Sequence, residues 1–186
     1  MYQNQLLILL GVIVVVLVVA AIAFVMSRKR RSRRLRERFG PEYQHVLLQE
    51  GDAHKAEGVL ESREKRREKF NTRSLPEKDK TSFAVRWNEV QERFVDDPRG
   101  AVKVAENLVT EVMQARGYPI GEFEQKAADI SVDYSSVVEN YRAAHEVALR
   151  HNAGKASTED LRQAMVHYRL LFQELLEERQ LQKKGA

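Results

Sequence analysis

Residues 6–26 read LLILLGVIVVVLVVAAIAFVM, a run in which only Gly11 is not apolar. As a helix rising ~1.5 Å per residue the run spans ~31 Å, about the hydrocarbon core of a bilayer. A helix of this length buried in a globular core keeps a polar face, and this one has none. Ala21-Ile22-Ala23 has the A-x-A form read by a signal peptidase. However, the preceding Met-Tyr-Gln-Asn-Gln carries no cation, and the run exceeds the ~7–15 residues of a signal h-region. Residues 1–26 are therefore expected to form an uncleaved transmembrane signal-anchor.

Immediately after it, residues 28–36 read RKRRSRRLR, with seven cations and no acid. The whole chain carries +4, so the part beyond residue 36 carries −3. A mildly acidic body gives little support to nucleic-acid binding by that body. The charge asymmetry across the apolar run places the N-terminus outside and everything after Met26 in the cytoplasm. Arg28, Lys29, Arg30, Arg31, Arg33, Arg34 and Arg36 act as a topology determinant and are expected to contact anionic lipid headgroups at ~1 kcal/mol per cation. The apolar run holds no ionisable side chain, so nothing in it suggests transport. Gly11 has Leu7 and Val15 four residues away on either side, so no small-xxx-small dimer motif is present.

Beyond the membrane-proximal segment the pattern is helical throughout, with glycine and proline falling between the helical stretches. Residues 27–40 read as a basic juxtamembrane helix ending at Gly40-Pro41. Residues 41–73 read as a charged helical stalk and hinge, broken at Gly51-Asp52, with Asp52 capping the restart. Glu61/Lys65 and Glu64/Arg67 stand at helix-neighbour spacings that favour a solvated surface. Residues 74–186 read as a cytoplasmic bundle of about four main helices. Ser74-Leu-Pro-Glu77 has capping-box form, and Phe83, Trp87, Val90 and Phe94 follow as a narrow apolar seam. Asp97-Pro98 opens the next helix, whose apolar half makes it the most buried element expected. A short helix covers Glu122–Ile130 and another runs over about Asp133–Arg150. Ser157-Thr-Glu-Asp160 caps the last, with Leu161, Ala164, Met165, Tyr168, Leu171, Phe172, Leu175 and Leu176 inward. The expected fold class is all-α: a transmembrane helix, a charged stalk, then a small bundle.

Catalytic and metal motifs fail on spacing. There is no cysteine, hence no disulfide, thiolate site or Cys nucleophile. His145-Glu146 begins H-E-x-x-H, but the second histidine would stand where Leu149 is, and His151 lies about 120° round the helix. Glu42-Tyr-Gln-His45 is a single Glu-x-x-His, where a di-iron bundle needs two. Gly154-Lys155 resembles a phosphate loop, yet Leu149 and Ala156 stand where Gly and Ser/Thr are needed. Asp96, Asp97, Glu122 and Glu124 lie at helix ends, where the macrodipole explains acids without catalysis. No catalytic residue, metal ligand or cofactor is expected.

On the last helix Val166 and Leu170, with Leu181 near them, point away from the inner face. Either this helix packs on two sides inside the bundle, or these residues form a partner surface.

The run RWNEVQERFVDDPRGAV, then LVTEVMQARGYP, FEQKAADISVDY, VVENYRAAHEVA and STEDLRQAMVHYRLLFQELL resembles an uncharacterised bacterial family of single-pass, membrane-anchored helical proteins. The resemblance covers roughly residues 35–178. It implies a bacterial cytoplasmic membrane location and supplies no activity, cofactor or site residue. The expected function is a non-catalytic, membrane-tethered adaptor or scaffold that holds a protein partner at the cytoplasmic face. The alternatives are an enzyme with an acid/His site built from His145, His151 or His167, or a tethered nucleic-acid binder acting through the basic cluster.

Overall fold

The computed structural model describes residues 2–177, with side chains at residues 11 and 13 and from residue 15 onward. The described residues form eight helices and no strand, in keeping with the all-α expectation. The chain divides into two compact units, residues 1–38 and 39–186.

The first unit holds all but the last residue of α1 (Tyr2–Phe39), one continuous helix. Neither glycine nor proline interrupts residues 12–39, so the expected boundary between residues 26 and 27 is a change of side-chain chemistry without a break in the backbone. Among the described residues no helix is long and apolar enough to cross a membrane. The expected anchor over residues 1–26 is thus not supported by the described helices. Its residues 6–10, 12 and 14 lie outside the described side chains. The described part, from Val15 to Met26, is exposed apolar surface, with Leu17 and Phe24 each 63% accessible.

The second unit comprises α2 (Pro41–Glu50), α3 (Ala53–Arg67), α4 (Glu77–Asp96), α5 (Pro98–Ala115), α6 (Phe123–Ser131), α7 (Val138–Asn152) and α8 (Thr158–Glu177). Local side-chain chemistry sets the starts of three helices, α3, α5 and α8. Asp52 accepts the Lys55 amide at 2.9 Å, as expected of an N-cap. Asp97 accepts the Gly100 amide at 2.9 Å, with Pro98 in the first turn of α5. Ser157 and Asp160 close a reciprocal box: the Ser157 amide donates to Asp160 Oδ2 at 2.8 Å, and the Asp160 amide donates to Ser157 Oγ at 3.1 Å. Ser74 does not cap α4, which starts three residues later behind Pro76 without a side-chain cap. The helix expected from Asp133 starts only at Val138, after a turn in which the Tyr134 carbonyl accepts the Val137 and Val138 amides.

The core is built round α5, which packs against α4, α7 and α8, while α7 and α8 pack against each other. Ala101, Ala105, Val109 and Val112 of α5 are wholly buried, as its broad apolar arc predicts. Trp87 of α4 stacks on Phe172 of α8 with ring centroids 4.6 Å apart. Beyond α5, Gly117 adopts φ 89°, and a Cβ there would fall 2.3 Å from the Asn71 carbonyl oxygen. Only glycine allows this close crossing of the 71–73 segment, whose Arg73 amide donates to the Arg116 carbonyl at 3.0 Å. The Arg116 side chain is wholly buried. Its Nη1 donates to the Leu175 carbonyl of α8, and its guanidinium lies 5.8 Å from the Tyr134 ring centroid.

Residues 41–73 depart most from expectation. In place of a solvated stalk, α2 and α3 pack on each other and dock on α6 and α7. Tyr43, Val46, Ala56 and Leu60 are buried, yet none joins the main core, which runs from Leu75 to Leu175. Charged side chains bridge the hairpin and the bundle. Glu42, wholly buried, accepts Arg63 Nη1 at 2.6 Å and Arg142 Nη2 at 3.1 Å. Arg66 grips Asp129 through Nε at 2.8 Å and Nη2 at 3.3 Å. Arg67 pairs with Asp133, which also accepts the Tyr118 hydroxyl at 2.6 Å. The mixed charge of α3 looks like a solvent face in sequence because its partners lie far along the chain.

The Asp97 cap yields a pH prediction. Arg93 and the Gly100 amide hold its carboxyl below the usual aspartate value. Its stabilisation is complete above the unfolded value of ~3.9 and is lost as pH falls through the lower folded value. Asp97→Ala therefore lowers the thermal unfolding midpoint at neutral pH, and the gap from the parent narrows below pH ~4.

Candidate protein-binding surface

The outward face of α8 and the side of α4 frame a shallow groove of about 160 Å³. Its apolar lining is Phe94, Met165 and Val166; Gln91, Arg162 and Arg169 supply the polar edge. Val166 and Phe94 are half-buried, Met165 is buried, and Leu170 is 39% exposed. Of the second apolar stripe on α8, Leu170 stands at the surface and Val166 lines the groove. Leu181 lies outside the described residues. Other exposed apolar side chains of this unit, such as Leu48, Val95 and Ile120, are the scattered kind that folded proteins tolerate.

The groove's charge is positive but partly answered. Arg162 is held by Glu159 through two bonds, at 2.8 and 2.7 Å. Arg162 first, then Gln163, hold the Glu159 carboxyl down to about 2. Arg169, exposed on the same helix, makes no ion pair among the described residues. An apolar floor edged by guanidinium groups suits a helical segment carrying apolar side chains flanked by carboxylates.

On α1 the basic row is a second surface. Arg28, Lys29, Arg30, Arg33, Arg34 and Arg36 are exposed, and Arg31 is half-buried. Arg28 lies over the Phe24 ring at 5.8 Å. Arg33 pairs with Glu37 at 2.7 Å, and that carboxylate raises its pKa further. Cations spread round a helix rather than stacked along one stripe suit a delocalised anionic surface.

Of the three histidines singled out, His145 and His151 lie on either side of Glu106, and His167 bonds elsewhere. His145 Nδ1 lies 2.9 Å from Glu106 Oε1, and its ring stacks on Phe123 at 3.6 Å. His167 Nδ1 bonds Asn140 at 2.8 Å. His151 lines a cavity of about 310 Å³ with Arg99, Lys103 and Glu106. Among the described residues no group of three or more His, Cys, Asp or Glu is arranged to hold a metal ion. Of the acids singled out at helix ends, Asp97 caps α5, and Glu124 pairs with Arg142 at 2.5 Å.

Sequence reasoning missed Glu42, Asp129, Asp133 and Arg116 as organising residues. The available signal was three arginines, at 63, 66 and 67, all reachable from one side of a helix; what they would meet was not encoded nearby. Comparison with known protein families, with curated proteins and with solved structures finds no match.

Two neighbouring positions separate surface from core. Leu171→Ala, at a wholly buried site, costs ~2–5 kcal/mol. Leu170→Glu stays within about 0.5 kcal/mol of the parent. Urea unfolding followed by the fluorescence of Trp87, the single tryptophan, checks both.

Proposed function

We propose that the protein is a non-catalytic, membrane-tethered helical adaptor that binds a protein partner through the α4–α8 groove at the cytoplasmic face of the membrane. The observation that carries the partner surface is the exposed Leu170 beside the groove-lining Val166, on a helix whose opposite face already fills the core. The tether rests on the apolar sequence of residues 6–26, on the exposed apolar surface from Val15 to Met26, and on the seven cations that follow. Twelve residues of apolar helix open to water would be strongly unfavourable, and lipid removes that cost. In this reading Arg28, Lys29, Arg30, Arg31, Arg33, Arg34 and Arg36 lie among anionic headgroups and hold the N-terminus outside. Tethering confines the groove to a thin layer beside the membrane and so raises its effective concentration toward membrane-bound partners. The resemblance to bacterial membrane-anchored helical proteins agrees with this placement.

Crosslinking of the tagged full-length protein in native membranes tests the groove. A specific complex is expected whose yield falls about tenfold with Leu170→Glu, equivalent to ~1.4 kcal/mol at the interface. An unchanged yield from a folded variant refutes the groove. In intact cells external protease should leave the C-terminal unit whole; its digestion refutes the orientation.

A further inference from the structure

We propose that the α2–α3 hairpin is a charge-held strap that releases from the α6–α7 end of the bundle as a unit while α4, α5, α7 and α8 stay folded. The inference is independent of the α4–α8 groove.

It stands on how the hairpin is attached. The main core runs from Leu75 to Leu175 and includes no residue of α2 or α3. Buried Tyr43, Val46, Ala56 and Leu60 of the hairpin lie outside that core, and the Tyr43 hydroxyl lies 3.2 Å from buried Glu57 between α2 and α3. Hydrogen bonds tie the hairpin to the bundle between Glu42 and Arg142, between Arg63 and Ser131, between Arg66 and Asp129 and between Arg67 and Asp133.

An interface of this composition sits near balance. Each pair gains Coulomb energy when docked and loses hydration; release returns the hydration of every charge at once. An apolar interface of similar size has no such compensation, because water does not repay exposed hydrocarbon. Removing one charge differs from releasing the strap, since it strands the opposite charge in a buried place. The seam is also graded. The Arg66 side chain is 46% accessible, whereas those of Arg63, Arg67 and Arg142 are 12%, 14% and 14% accessible. Salt reaches the Arg66–Asp129 pair first, so opening starts there. Release turns α2 and α3, residues 41–67, from part of the body into a connector, and it bares Asp129 and Asp133 beside α7, while Phe70 and Leu75 keep their places against the main core. The main core loses no member in the process.

The test is hydrogen exchange of the full-length protein in detergent micelles, followed by mass spectrometry between about 0.1 and 1 M salt, where the Debye length shrinks from ~10 to ~3 Å. Amides of α2 and α3 are expected to exchange about tenfold faster at the high end, while those of α5 and α8 hold their protection. Arg66→Asp is expected to open the hairpin at low salt, and Arg66→Asp with Asp129→Arg to close it again. Trp87 fluorescence reports in parallel whether the bundle remains folded. Equal exchange of hairpin and bundle under all conditions overturns the proposal, as does salt-independent hairpin protection. Loss of the Trp87 signal together with hairpin protection in Arg66→Asp also overturns it, since the two would then unfold as one.

Discussion

Burial of the apolar arc of α5 is the constraint on which the rest of the second unit depends. One helix offers Ala101, Val102, Ala105, Leu108, Val109, Val112 and Met113 to its neighbours, and its alanines let those neighbours approach closely. α4, α7 and α8 are each amphipathic enough to cover part of that arc. With three sides of α5 occupied, the outward face of α8 and the edge of α4 are left to form the groove. The apolar side chains there are a consequence of where α5 is already satisfied.

The second organising interaction is different in kind. The hairpin of α2 and α3 is joined to the bundle by guanidinium–carboxylate pairs, several of them shielded from water. Such pairs confer geometry more than net stability, because desolvation offsets attraction. They fix which face of α3 meets α6, since a carboxylate in a dry place tolerates few alternative partners. Tyr118 shares Asp133 with Arg67. Burial first, and then that carboxylate, push the Tyr118 hydroxyl well above its ordinary pKa, so it remains a donor.

The two units divide the chemistry of the protein. The first carries the excess positive charge and the exposed hydrocarbon; the second is mildly acidic with a closed core. A mean composition describes neither. The proposed adaptor role follows from placing each in the medium its surface suits: lipid and headgroups for α1, water and a partner helix for the bundle.

Much of the fold was legible in the sequence because its causes are local. Asp52, Asp97 and the Ser157–Asp160 pair cap helices by bonds spanning three residues, and the arcs of α4, α5 and α8 repeat within a few turns. Ser74 misled because the same four-residue pattern also occurs where Pro76 alone begins a helix. The charged run of α3 misled for a deeper reason. Its acids and bases fit a solvated stalk as well as a docked hairpin, and only contacts across 63 positions, for Arg66 with Asp129, or 100, for Glu42 with Arg142, distinguish the two. The sequence by itself determined the helices, their inward faces and the division between an apolar, basic N-terminal segment and an acidic body, since each follows from chemistry repeated along a short stretch of chain. Tertiary structure alone decided that residues 41–67 fold back on the bundle, that Arg116 is buried with a bond to the Leu175 carbonyl, and that Leu170 faces solvent, because each depends on which distant surface arrives to remove a side chain from water.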